Sequence, residues 1–306
     1  GAAISAATSL SEIGISATFG PHITGPTTVT VDSAVELTDL VFDSPEHSYT
    51  IAGPGPLRFF APASIDVISG SHAIAAPIAG NLEFSKWGAG TLRLEGEHEI
   101  KGLLLLEEGA IELLEGNLRV SQFFSLNGDM LIGPEGRLTG GSSNFIALEE
   151  GTASTVVVDG GQWDTPTSSL QFHVGYRGDG RLTIKNGGLV KSGLSRVGVI
   201  PGSRGEVVVT GEGSTWESGE RLEVGGLADG QIYDRDGNPV GDPKTPTLGI
   251  LTIEQGGKVV SAQGWVDPTG TVLVRGAESS WTIKQQLHIH GTVTIESATL
   301  STGNTS

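Results

Sequence analysis

The chain lacks cysteine altogether and carries one methionine among its 306 residues. Without thiols there is no disulfide scaffold, so cohesion must come from non-covalent pairing. Charge is sparse, at 17% of residues, and one-sided: 18 Lys and Arg stand against 35 Asp and Glu, a formal net charge of -17. A polyanion repels nucleic acid and anionic lipid at long range, which disfavours both as partners. No run approaches the ~18 apolar residues that a membrane helix needs, so membrane insertion is not expected. No convincing amphipathic helix exceeds two turns. The hydrophobic share of 37% is nevertheless too high for a disordered tail.

What the chain has in excess is glycine. Its 47 glycines are about twice ordinary usage and are spread from end to end. They lack the Gly-X-Y period of collagen. They recur instead with short β-type runs. Residues 181–205 and 206–230 form two units of 25; 250–270 and 271–291 form two units of 21, and a final unit opens at Thr292. Each unit holds a four-residue run rich in Val, Ile, Thr and Leu, a Gly-rich turn, a second short run and a third ending near Gly. Leu182 and Ile184, like Leu251 and Ile253, alternate with polar neighbours. Turn glycines such as Gly187, Gly188, Gly256 and Gly257 let the backbone take positive φ at corners.

Three short strands per 21 to 25 residues fit one coil of a parallel β-helix. A single coil cannot bury its inward residues, but stacking ~4.8 Å above a neighbour pairs its backbone and closes a core. The expected fold is all-β, one elongated β-solenoid. Residues 1–26 form an N-terminal cap or intersubunit strand, 27–150 irregular coils, and 151–306 regular repeats interrupted by a loop insertion at 231–249. Trp163, Val190, Trp216, Val259 and Trp281 fall at matching places after the turns. An internal stack is the expected reading, an exposed sugar-stacking ladder the alternative.

Residues 152–300 resemble the repeats of bacterial autotransporter passengers and PEP-CTERM-associated surface proteins. The resemblance lies in 182–188, in 207–216 and in the pairs Val174-Gly175, Val197-Gly198 and Val224-Gly225. Residues 86–94 resemble the autotransporter-associated β-strand motif, and 27–60 the leading coils of such proteins. The resemblance implies a right-handed parallel β-helix secreted or displayed on a bacterial cell surface, for adhesion or surface architecture. The repeats run to the end of the sequence, without the translocator barrel that such proteins use as an anchor. The chain begins at Gly1 with no signal-like segment, as expected of a processed form or an excised piece.

Candidate chemistry is thin. Glycosidic hydrolysis needs two carboxylates at a set gap beside a groove; Glu95, Glu97 and Glu99 are candidates, although a solvated turn is the preferred reading. No enzymatic activity is expected. His288 and His290 alternate on one strand face and could share a metal, but no Cys, Asp or Glu completes the set. Asp234, Asp236, Asn238 and Asp242, around Gly237, resemble the opening of a calcium loop that lacks its closing Glu; the alternative is an ordinary acidic turn. No cofactor is required on this reading, with calcium the one candidate. Arg177-Gly178-Asp179 spells an integrin-binding tripeptide but occupies an inter-coil turn. Gly211 and Gly213 likewise sit in a turn, without a helix to cradle phosphate.

The ends are the sharper feature. Residues 293–300 still read as repeat, with no visible cap, and an open coil is a template for more strand. Residues 3–19 are apolar, small-residue-rich and free of Lys and Arg. The expected partner is therefore the chain itself, head to tail, through Ile4, Leu10, Ile13, Ile15 and Phe19 at one end and Val293, Ile295 and Leu300 at the other. The alternatives are an adhesin binding glycans or surface proteins, and a polysaccharide-active enzyme.

Overall fold

The computed structural model describes residues 15–80, 83–166, 171–226, 232–233, 239–240 and 246–303. Among these there is no helix. Parallel strands stack as a β-solenoid of about eleven turns. Each coil has three walls. One runs from Ser16–Phe19, paired with 39–42, to Leu287–Ile289. The second begins at Thr27–Thr30 and ends at Thr292–Glu296. The third begins at 35–37 and ends at Thr299–Thr302. Glu97–Thr139 is extended throughout and contributes to all three walls. The insertion leaves the wall after Gly226; within it, Ile232–Tyr233 pairs antiparallel with Pro239–Val240. The coil resumes at Leu248–Glu254.

Alternation decides what enters the core. In register, Val156, Leu182, Val207, Leu251 and Val272 form one inward column, each with its side chain excluded from water. Trp163, Val190, Trp216, Val259 and Trp281 form another, all fully buried. They are core, with no face open to a sugar. A buried indole usually finds an acceptor for its N–H. Trp216 donates to Ser192 Oγ at 3.0 Å and Trp281 to Ser261 Oγ at 3.1 Å, each serine lying one coil back. Trp163 has no such serine, and its Nε1 is buried without an acceptor.

Corners close by backbone necessity. Gly175, Gly198 and Gly225 have φ of 71°, 67° and 85°. A Cβ at these glycines would also sit 2.1 to 2.4 Å from backbone atoms of the next coil. Each Val-Gly pair thus combines an inward valine with a corner that excludes any side chain. Two corners in the first half use histidine as a staple. The Tyr49 and Ile78 amides donate to Nδ1 of His72 and His98, at 3.0 and 3.3 Å. Nε2 of each ring then donates to a carbonyl three residues back, on Ser69 or Glu95. Both rings must be neutral to do this.

Removing the Trp216 side chain deletes packing and its hydrogen bond to Ser192, which keeps Ser195 as a partner. Trp216→Ala is expected to lower unfolding free energy by about 3–5 kcal/mol, read from the urea midpoint. Burial lowers the pKa of His98 from 6.5 to about 4. An unfolded chain protonates this ring near pH 6.5 while the folded chain resists. Stability is therefore fully present above pH 6.5 and falls as pH drops toward 4, by about 3 kcal/mol. His98→Gln should flatten that part of the curve when denaturation midpoints are compared between pH 7 and 4.

Candidate functional site

The solenoid leaves three surfaces with chemical potential: its end coils, one outer wall, and a corner groove. At the last coil, 287–289, 292–296 and 299–302 each pair with the coil below and, among the described residues, with nothing above. Columns that are fully buried one coil earlier emerge here. Val293 and Leu300 are half-buried, while Ile289 and Ile295 are 49% and 44% exposed. Among the described residues, the first coil is likewise paired on one side only. Ile15 is 47% exposed, and Phe19 is half-buried against Phe42 and Tyr49, with ring centroids 5.3 and 5.1 Å apart. Tyr49 Oη donates to Gly20 O at 2.7 Å, tying this coil to the next. The structure thus places Ile15, Phe19, Val293, Ile295 and Leu300 on the two terminal coils. Ile4, Leu10 and Ile13 lie outside the described residues.

The outer wall was not anticipated. Phe124, Phe145, His173, Arg196, Glu223, Trp265 and His288 stand in register across seven coils. All are outward positions, yet Phe145 and His173 are buried by their neighbours. Phe124 and His173 each set a ring edge-on to Phe145, at 5.0 and 4.8 Å, and Tyr176 packs against both Phe145 and His173. Neither nitrogen of His173 has a hydrogen-bond partner. Burial, helped by the Arg196 charge, lowers its pKa to about 3 and keeps it neutral. Higher on the wall, Glu223 accepts a hydrogen bond from Arg196 through one oxygen and is ion-paired with Arg221, at 2.6 Å, through the other. The Arg221 guanidinium lies 5.2 Å from the Trp265 ring, and His288 packs on Trp265 at 4.3 Å. Beside them, burial and the Glu223 charge raise the Asp267 pKa. This is a partly desolvated ion network capped by an aromatic pair.

The groove, of about 360 Å³, lies at a corner of the middle coils. It is lined by Arg93, Leu94, Glu95, Glu112, Leu114, Glu115, Pro134 and Glu135. Glu112 is committed to Arg93 at 2.8 Å. Glu95 lines the groove, whereas Glu97 and Glu99 point outward along the next strand, bonded to Asn117 and Lys101. The three do not converge.

Lys86 has the most unusual setting of any cation. It is fully buried, and burial lowers its pKa to about 8. All three protons of its ammonium are used, on the carbonyls of Trp87, Gly88 and Glu108. No donor is left for a substrate, so Lys86 fastens the corner in the 86–94 motif.

Among the described residues, no group of three or more His, Cys, Asp or Glu is placed to hold a metal. His288 is occupied with Trp265 and His290 is exposed. Asp234, Asp236, Asn238 and Asp242 lie outside the described residues. Arg177 and Gly178 form the inter-coil turn, both amides bonding Ala147 O, and Asp179 starts the next strand.

No protein-family model matches the chain, and no curated protein matches it in sequence. Among solved structures, it is similar to the crystal structure of the TibC-catalyzed hyper-glycosylated TibA55-350 fragment. The identity is 13% over 93% of this chain and 97% of that chain, with a TM-score of 0.31. At that similarity no residue of one is carried to the other.

The outer network can be tested through its hub. Glu223→Gln leaves two guanidiniums without their shared counter-charge, in a setting 15% exposed at the carboxylate and 30% and 33% at the arginines. The expected loss is about 1–2 kcal/mol, discounted for solvent screening, measured by thermal unfolding.

Proposed function

We propose that the chain is a non-catalytic structural β-solenoid of the extracellular, surface-displayed kind, whose units associate end to end into a filament. The observation that supports this reading is the last coil, which no described residue covers. Three strand edges and the side chains of Leu287, Ile289, Val293, Ile295 and Leu300 await a next layer, whichever chain supplies it. Covering such side chains is worth ~1.5–3 kcal/mol each when burial is complete, and the strand edges add hydrogen bonds that water now satisfies. A heterologous contact of this kind propagates when its rotation does not close. The resemblance of the repeats supports an extracellular setting, with which the absence of cysteine is compatible.

A second reading has its own observation. Trp87 is 45% exposed on an outer wall, in register with Asp66, whose pKa is raised by burial. An exposed indole beside a carboxylate is the kind of surface on which an adhesin holds glycans.

Negative-stain microscopy and light scattering of the full chain separate the two. Filaments whose length grows with concentration support the first; monodisperse rods at all concentrations reject it. Ile295→Lys changes an exposed side chain, so it should shift the unfolding midpoint by less than about 0.5 kcal/mol. Filament mass in the same preparation should drop at least tenfold.

A further inference from the structure

We infer that the corner groove of the middle coils is a docking site for a basic segment of a partner protein. It takes the aliphatic stem of a lysine or arginine on Leu114 and Pro134, and the cationic head on Glu95, Glu115 and Glu135. This goes beyond the end-to-end reading and does not depend on it.

The groove exists because one corner widens. The inward residues that end the second wall are Leu94, Leu113 and Ile132; those that open the third are His98, Leu118 and Leu138, all buried. The corner between them spans 95–97, then 114–117, then 133–137, one residue longer at each coil. The added residues have no inward column to enter, so they stand outward. Leu114 is left 38% exposed, with Pro134 exposed beside it. At Gly133 a Cβ would stand 3.0 Å from both Cα and Cδ2 of Leu114, so any side chain there would crowd that leucine. The resulting space of about 360 Å³ falls within the ~300–1,000 Å³ usual for ligand sites.

The lining selects the chemistry. Arg93 and Glu112 neutralise each other at 2.8 Å. Glu95, Glu115 and Glu135 remain, and among the described residues none of their carboxylates is hydrogen-bonded or ion-paired. Gly116 lies directly on the Gly96 backbone, which sets Glu115 over Glu95, one coil of ~4.8 Å away. Carboxylates on the walls have a basic partner one coil away, as Asp159 has Lys185, Asp164 has Arg137 and Glu254 has Arg275. This corner has none, so its counter-charge comes from outside the chain.

Three ligand classes fit poorly or well. A divalent cation wants about six or more converging oxygens, and no three acidic residues converge here. A glycan held by stacking wants an aromatic platform, and none lines the groove. Ammonium and guanidinium groups offer donors only, matching carboxylates that only accept. Their methylene stems match an apolar floor. The carboxylates stand along an exposed ridge of the solenoid, a line that an extended chain can follow and that does not enclose a small molecule.

The probe is a fluorescein-labelled peptide alternating lysine with serine, titrated with the full chain at low salt, where exposed charges are least screened. Fluorescence anisotropy should show saturable binding, and the peptide with glutamate in place of lysine should show none. Glu115→Gln/Glu135→Gln should weaken binding about fivefold or more, and Leu114→Asn about threefold. Glu46→Gln/Glu212→Gln removes the same charge from exposed carboxylates outside the groove and should change affinity less than about twofold. Equal weakening by the two double variants would show attraction by net charge alone and overturn the site. Spermidine binding as tightly as the peptide, with Leu114→Asn without effect on either, would overturn the peptide in favour of a small polyamine. All substituted positions are exposed, so each variant should keep the circular dichroism and urea midpoint of the parent.

Discussion

Everything in this molecule depends on one coil providing the strand edge on which the next is laid. Backbone amides and carbonyls point along the solenoid axis, so each wall is both a finished layer and an unfinished one. Side chains are sorted by that requirement. A position facing inward must fit the column beneath it, and a corner must clear the corner beneath it. Gly175, Gly198 and Gly225 show the constraint in its strictest form, since both the backbone angle and the next coil reject a side chain there.

The same constraint explains why polar groups inside the coil look elaborate. A buried indole, imidazole or ammonium has to find its partners within a space only one coil thick. Ser192 and Ser261 provide them for Trp216 and Trp281, and three carbonyls provide them for Lys86. His72 and His98 are used as neutral bridges between coils. Perturbed ionisation in this chain therefore marks corners and staples more than chemistry.

The parallel coil was legible in the sequence because inward columns repeat residue types: Leu182, Val207, Leu251 and Val272 announce one another at 21- to 25-residue steps, the insertion aside. The first half was harder to read. Its steps are similar, for example Phe84 to Leu104, but its corners vary and its inward residues include His72 and Lys86. Alternation alone gives no reason to place a lysine in the core. The outer ladder was invisible for the opposite reason. Arg196, Glu223 and Trp265 share a position but no chemistry, so no motif repeats. A signal was present nonetheless: His173, Arg196 and Glu223 each directly precede the valine of a Val-Gly pair, which fixes them outward and in line.

That contrast separates the surfaces by what limits them. Inward columns are held to apolar shape by the coil on either side, and corners are held to glycine by backbone contact. The outer walls answer to neither, which is why Phe145, Arg196 and Trp265 can succeed one another in a single line without disturbing a strand. The end coils are the exception among surfaces. Val293, Ile295 and Leu300 follow the inward rule although no described residue covers them. A residue freed from packing has no reason to remain apolar at alternate positions, and Thr292, Thr294 and Ser301 show that polar residues are accepted beside them. Keeping the core pattern on such a layer is what a coil does when a further layer, from this chain or another, is laid on it. This is the physical basis for the proposal that the last coil is a stacking surface.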